Sequence, residues 1–309
     1  MHTFLTPEPV TLEIRNAAGE IRVDLADVTS TTVDVVASTS HPLSFLDDLI
    51  RTAKSQFGNR AFAGGRPDFE SPADAGGDGL EDPAERVRVD LRQPVDEHGA
   101  ATLIVDTDPA RNGWKSSFAV HVTAPRHSGI RIQSQSAEVA VTGPADRLEV
   151  RTASGEVRVD DVYGPSVIQT ASGDIAVRST ASCDLRSASG DIAVRHVSGE
   201  AVAHATSGDV QLDVAGGDVK ARTVSGELRV LDVTTGRAEL ISVSGDVEIG
   251  IHAGTLAAVD LSTVSGRTDT DLPVTDTAPA EDGEPESPSL ELKVKTTSGD
   301  IRVRRAVAV

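Results

Sequence analysis

The sequence is poor in sulfur and in aromatic rings. Cys183 is the one cysteine, so neither an intramolecular disulfide nor a thiol pair for zinc can form. Phe, Trp and Tyr make up 3% of 309 residues, with a single Trp and a single Tyr. A core must therefore be built from Val, Ile, Leu and Ala, and such a core is thin. Positive charge is scarce as well: 29 Lys and Arg stand against 48 Asp and Glu, a formal net charge of −19. Nucleic acid and anionic membrane both require basic patches, so neither is an expected partner. No run approaches the roughly 18 apolar residues of a membrane span, and no membrane insertion is expected. Met1 to Val10 shows neither the basic nor the apolar region of a signal peptide. The expected location is the cytoplasm.

What the chain does have is a repeat, and self-similarity at a fixed period is settled before any other reading. Ser-Gly-acid followed by alternating apolar residues occurs at Ser154-Gly155-Glu156, Ser172-Gly173-Asp174, Ser189-Gly190-Asp191, Ser207-Gly208-Asp209, Ser225-Gly226-Glu227 and Ser244-Gly245-Asp246. A looser turn falls midway between these, at Gly164, Cys183, Gly199, Gly217, Gly236 and Gly254. Gly tolerates positive φ, so the two columns read as two columns of turns, with Cys183 standing in for a turn Gly. After the first column come large residues two apart, such as Val157/Val159 and Ile175/Val177. After the second come mostly small ones, such as Ala201/Ala203 and Val219/Ala221, ending with Leu256/Ala258. Residues two apart share a face of a strand, and Arg158, Arg178, Gln211, Arg229 and Glu248 fall on the other face.

The pattern predicts an all-β protein in which two sheets close on one narrow core, with about eighteen residues per turn. A parallel β-solenoid (β-helix) satisfies it. An antiparallel meander or barrel would alternate its turns in the same way, but open twisted sheets rarely exceed roughly ten strands. The one helical segment is too short to cover a longer one. The solenoid is the reading adopted.

The chain divides at about residue 129. Residues 1–129 form an N-terminal β region, with strands expected at Val10 to Arg15, Ile21 to Val23, Thr31 to Val36, Arg86 to Leu91, Thr102 to Asp106 and Phe118 to Thr123. Leu43, Leu46, Leu49, Ile50 and Ala53 predict a helix near 43–57 that caps one end of the stack, and Gly58 to Asp82 reads as a disordered insertion. Turns are expected at His98-Gly99 and Asn112-Gly113, with Trp114 and Phe118 sealing a sheet edge. Residues 130–309 hold the repeat, broken by a flexible acidic loop at 273–288 and completed by a last rung at Ser298-Gly299-Asp300. Arg302, Arg304 and Arg305 form a small solvated basic patch.

Thr3-Phe4-Leu5-Thr6-Pro7-Glu8-Pro9-Val10, Gly19-Glu20-Ile21-Arg22-Val23 and the Ser-Gly-Asp repeats together resemble the bacterial putative-adhesin family of β-strand-repeat proteins, a domain of unknown function. The resemblance covers most of the chain. It implies a β-solenoid-like fold and an adhesin-like role in surface binding, and it supplies no catalytic residue.

Three candidate sites follow from the residues. The first is the acid column Glu156, Asp174, Asp191, Asp209, Glu227 and Asp246, whose carboxylates would stack roughly 4.8 Å apart. Gly216-Gly217-Asp218 resembles part of a calcium-binding roll, but the nine-residue pattern of such rolls is not repeated. The reading adopted is that each acid accepts turn amides. The second is the pair His196 and His204 on successive strands, which reads as a solvated strand face; His98, His121, His127 and His252 add no ligand spacing. The third is the serines, which sit in repeated turns and not in a nucleophile elbow. No catalytic, metal-binding or cofactor-binding residue is assigned. The expected function is a non-enzymatic scaffold whose sheet faces bind a protein partner or a second copy. An adhesin and a parallel β-helix enzyme acting on polysaccharides are the alternatives.

Overall fold

The computed structural model describes residues 1–38, 87–93, 100–107, 117–272 and 288–306. The helix expected at 43–57, the insertion at 58–82, the turns at 98–99 and 112–113, Trp114, and the acidic loop up to residue 287 lie outside the described residues.

The described residues form 21 β-strands and no helix. The repeat pairs in parallel, each strand lying between its equivalents one rung before and one rung after. Ile175 lies between Val157 and Ile192, Leu212 between Val194 and Val230, and Ala203 between Leu185 and Ala221. Val157, Ile175, Ile192, Val210, Leu228 and Val247 stack in one column, so successive rungs take 18, 17, 18, 18 and 19 residues. Parallel pairing at that interval is a β-solenoid; a meander would have paired neighbours antiparallel.

Alternation decides which residues enter the core. Along Val210–Ala215, Val210 and Leu212 are buried while Gln211 faces water. The inner column Val157 to Val247 is at most 1% exposed throughout. Burying each such side chain stabilises the fold by about 1.5–3 kcal/mol. Opposite it, Ala201, Ala203, Val219 and Ala221 are fully buried in the same cluster. Large residues on one sheet thus meet mainly small ones on the other, which keeps the interior thin and filled.

Three expectations are corrected. Cys183 is not a turn residue. It pairs between Ser166 and Ala201 inside the strand Ile175–Ser189 and is 5% exposed. Ala181 fills the turn slot, since its carbonyl accepts the Gly199 amide hydrogen at 2.8 Å. Leu256 and Ala258 do not face inward; Ala257, Val259 and Leu261 hold the inward register, because Ala257 and not Gly254 aligns with Leu290.

The third correction concerns the order of the rungs. The final stretch does not stack last. Leu290–Ser298 lies between Gly236–Ser244 and Ala257–Ser265, and Ile301–Arg305 lies between Val247–Ile251 and Thr268–Thr270. The chain leaves a slot, builds the outer rung, and returns to fill the slot. The N-terminal end does the same: Thr11–Ala26 runs between Gly129–Ala145 on one side and Thr102–Asp106 with Ser117–Pro125 on the other. Buried Asn16 fastens it there, its Nδ2 donating to the Phe118 carbonyl at 3.0 Å and its Oδ1 accepting from Thr107 Oγ1 at 2.7 Å. Antiparallel strands finish that end: Arg88–Arg92 on one sheet, and Ser30–Ser38 then His2–Leu5 on the other. Among the described residues, the opposite end stops at the parallel rung Ala257–Ser265 with Thr268–Thr270.

Candidate functional site

The acid column is a ladder of hydrogen bonds, and it runs between rungs. The Asp191 amide donates to Asp174 Oδ1 at 2.9 Å, Asp209 to Asp191 at 2.8 Å, and Glu227 to Asp209 at 2.8 Å. The ladder resumes from Asp246 to the Asp300 amide at 2.8 Å and from Asp300 to the Arg267 amide at 2.9 Å, following the spatial order of the rungs. Each aspartate therefore caps the turn of the following rung instead of its own. Glu156 and Glu227, one carbon longer, turn to Arg158 and Arg229 two residues on. Asp218 repeats the arrangement on the second edge, accepting the Arg237 amide at 2.8 Å. Among the described residues no three His, Cys, Asp or Glu side chains are grouped to hold a metal.

The other candidates are not brought together. His196 faces out from one sheet and His204 from the other, because the two strands of a rung lie on opposite sheets. His252 pairs with Asp232 at 2.9 Å. His127, the one non-glycine with positive φ among the described residues, packs its ring against Tyr163 with centroids 5.1 Å apart. Burial pushes the Cys183 thiol up to about 12, leaving it protonated and inert. Arg302 and Arg304 are paired with acids of their own and the neighbouring rung, Arg304 with Glu248 at 3.2 Å. A shallow cleft of about 550 Å³ near Gly129 is walled by Glu13, Arg131 and Glu149, with Arg131 and Glu149 joined at 3.0 Å.

Two register columns escaped the sequence reading. Two residues before most of the turn serines stands a buried hydroxyl, as in Thr152, Thr170, Thr223 and Thr296, with Ala205 standing instead before Ser207. These donate to turn carbonyls, Thr296 to Gly245 O at 3.3 Å and Thr170 to Ser172 O at 3.1 Å. Three residues before the same serines stands an outward residue, and Arg151, Gln169, Arg186, His204 and Arg222 succeed one another there in register. The signal in the sequence was the pattern Arg/Gln-Thr-X-Ser-Gly, visible once the repeat is aligned on its serines.

Parallel rungs around one narrow core and turns capped by a carboxylate ladder define a β-solenoid. The chain belongs to the Toastrack family (DUF4097), a domain of unknown function, which matches residues 96–304. The family resemblance read from the turn motifs is thereby shown. Two solved structures align with nearly all of this chain. A putative adhesin from Bacteroides fragilis is 13% identical, with 98% of this chain and 95% of that one covered and a TM-score of 0.41. A putative cell adhesion protein from Clostridium sporogenes is 7% identical, with 98% of each chain covered and a TM-score of 0.25. No curated protein matches the sequence.

Proposed function

We propose that the protein is a non-enzymatic binding scaffold, a solenoid that offers its sheet surfaces to a protein partner or to a second copy of itself. The observation that carries this reading is the outer rung. Among the described residues, Ala257–Ser265 and Thr268–Thr270 pair on one side only. Val259 is 41% exposed, whereas its partner one rung in, Leu292, is 1% exposed. A strand of nine residues with a free edge presents unpaired N–H and C=O groups and a half-open core, the arrangement on which strand addition builds. Repeat proteins ordinarily cover such an end. The buried thiol and the repeated, hydrogen-bonded turns support a binding role over a catalytic one.

Sedimentation velocity across a range of concentrations tests the reading. The wild type is expected to associate, and Val259→Lys with Thr263→Lys, which puts charge into the free end, to stay monomeric. A wild type that remains monomeric at high concentration, with the outer rung exchanging its amides freely, would sink the self-association arm. Adhesion at a bacterial surface is the second reading, carried by the family resemblance. It uses the same faces and differs in location, so the presence of the protein in culture supernatant separates it.

A further inference from the structure

From Arg15 to Lys295 one column of outward residues alternates between cation and neutral side chain, and beyond Arg15 it ends on Asp106. In spatial order Arg15, Arg151, Arg186, Arg222 and Lys295 are the cations. Gln133, Gln169, His204 and Ile241 stand one between each pair. The alternation depends on the out-of-order rung. Lys295 follows Ile241 and precedes Ser262 because Leu290–Ser298 fills the slot; in chain order Ser262 would intervene. The cations are exposed, with 48–56% of the side chain accessible for Arg15, Arg151, Arg186 and Arg222. The register places His204 between Arg186 and Arg222, and its pKa is lowered by partial burial and then by those two guanidiniums.

Strands of a sheet lie about 4.8 Å apart, so the cations recur at roughly 10 Å along the solenoid axis. Beside them, on the turn side, runs an exposed column of mostly small residues, Ala153, Ala171, Ala188, Val224 and Val243, with Thr206 between Ala188 and Val224. On the other side each arginine has an acid: Arg15 pairs with Glu13 at 2.7 Å, Arg151 with Glu149 at 3.1 Å, Arg186 with Asp184 at 3.0 Å and Arg222 with Glu239 at 3.8 Å. Exposed pairs of this kind are weak and exchange partners readily. The acid ladder is farther off. Asp191 is five residues beyond Arg186, roughly 16 Å at the rise of a strand, and charges beyond the Debye length of about 8 Å are largely screened.

We propose that this column binds a linear anionic glycan laid along the solenoid axis, one carrying a carboxylate on every second sugar ring. A β-linked sugar advances by close to one strand spacing per ring, so alternate carboxylates meet alternate cations while ring faces rest on the small-residue column. Other polyanions are out of step. An extended polypeptide sets same-face side chains roughly 6.6 Å apart, and duplex nucleic acid carries one charge per roughly 1.7 Å. The inference goes beyond the scaffold reading and rests on a different surface, so its failure would leave the outer rung untouched.

The test uses the full-length protein and immobilised hyaluronan, whose carboxylates lie on alternate rings, with polyglutamate and neutral dextran as comparisons. Wild type is retained by hyaluronan, not by dextran, and only weakly by polyglutamate. Arg151→Gln with Arg186→Gln and Arg222→Gln weakens retention by about tenfold or more with an unchanged β spectrum. Glu149→Gln with Asp184→Asn, which frees two of the arginines, strengthens it several-fold and keeps the test decisive should the arginine variant misfold. Absence of binding by the wild type, equal retention on polyglutamate, or indifference to the folded variants would each overturn the proposal; equal retention on polyglutamate would point to an acidic protein instead.

Discussion

The carboxylate of Asp191 accepts the amide hydrogen of Asp209, one rung further along the solenoid, at 2.8 Å. The same bond joins Asp174 to Asp191 and Asp209 to Glu227. One oxygen of each aspartate is thereby committed to a backbone donor, which leaves at most one oxygen per rung for any other partner. Calcium takes six to eight oxygen ligands. Millimolar calcium or a chelator should therefore leave the melting temperature where it is. A melting temperature that rises with calcium and falls with chelator would identify a metal ladder.

The capping bond itself makes a second prediction. Asp191→Asn retains the acceptor and removes a charge from a column of like charges, so its stability should match or slightly exceed that of wild type. Asp191→Ala leaves the Asp209 amide to water and should cost about 0.5–1.5 kcal/mol in denaturant unfolding. Equal stability of the two variants would show that charge, not the hydrogen bond, governs the column.

Gly208 carries a third prediction. Its φ is +139°, and a Cβ there would lie 2.3 Å from the Gly190 carbonyl oxygen in the rung behind. The obstruction is backbone, so a clash adds to the strain of an L-residue in that conformation. Gly208→Ala should cost about 2–4 kcal/mol. Gly129 has no unusual φ, and a Cβ there would meet only Thr11 Oγ1 at 3.7 Å. Gly129→Ala should be close to neutral, and parity between the two in a thermal melt would remove the argument.

The turns and the in-and-out alternation were legible because they are local. Ser-Gly-Asp marks a tight turn wherever it stands, and the strand expected at Thr102 to Asp106 is the strand found. Phase was lost where the spacing slips. Counting from the nearest small residue put Cys183 on a turn that Ala181 occupies, and counting from Gly254 turned Leu256 inward. Rung order was not legible at all. Leu292 fits equally well beside Ala238 or Val259, and it pairs with both; nothing in its own neighbourhood says that it will be enclosed. The cation column depends on that order, so it too was hidden, although each of its residues except Arg15, which precedes Ala18, stands three places before a turn serine.

Cys183 gives a pH dependence of definite sign. Burial is the main cause that raises its thiol from an ordinary 9.0 to about 12, against a backbone hydrogen bond with Val202 that lowers it. Above about pH 9 the unfolded chain releases this proton and the folded chain keeps it. The stability contribution is thus fully present below pH 9 and is lost on the way to 12, at about 1.4 kcal/mol per pH unit. Wild type should lose stability faster than Cys183→Ala between pH 9 and 10.5 in denaturant titrations. Alanine suits the site, since Ala201 occupies the same register one rung on. Parallel pH profiles for the two proteins would mean that the thiol is ionised within the fold or reached by water.

The inserted rung makes the last prediction, and hydrogen exchange reads it without altering the protein. In a solenoid stacked in chain order, the residues nearest the C-terminus would form the outermost rung and open first, since local opening is easiest where few buried contacts hold a segment. Here Leu290, Leu292 and Val294 are enclosed by Ala238 and Leu240 on one side and by Val259 and Leu261 on the other, and none is more than 1% exposed. Among the described residues, Ala257–Ser265 and Thr268–Thr270 have a neighbour on one side only. Amides of Leu290–Ser298 and Ile301–Val303 should therefore exchange markedly more slowly than those of Ala257–Ser265 and Thr268–Thr270, although they lie closer to the end of the chain. Opening Leu290–Ser298 must break the ladders to Gly236–Ser244 and Ala257–Ser265 together, so removing residues 288–309 should destabilise the outer rung as well as the slot. Slower exchange in Ala257–Ser265 than in Leu290–Ser298 would mean that the rungs stack in chain order in solution, and the insertion would have to be abandoned.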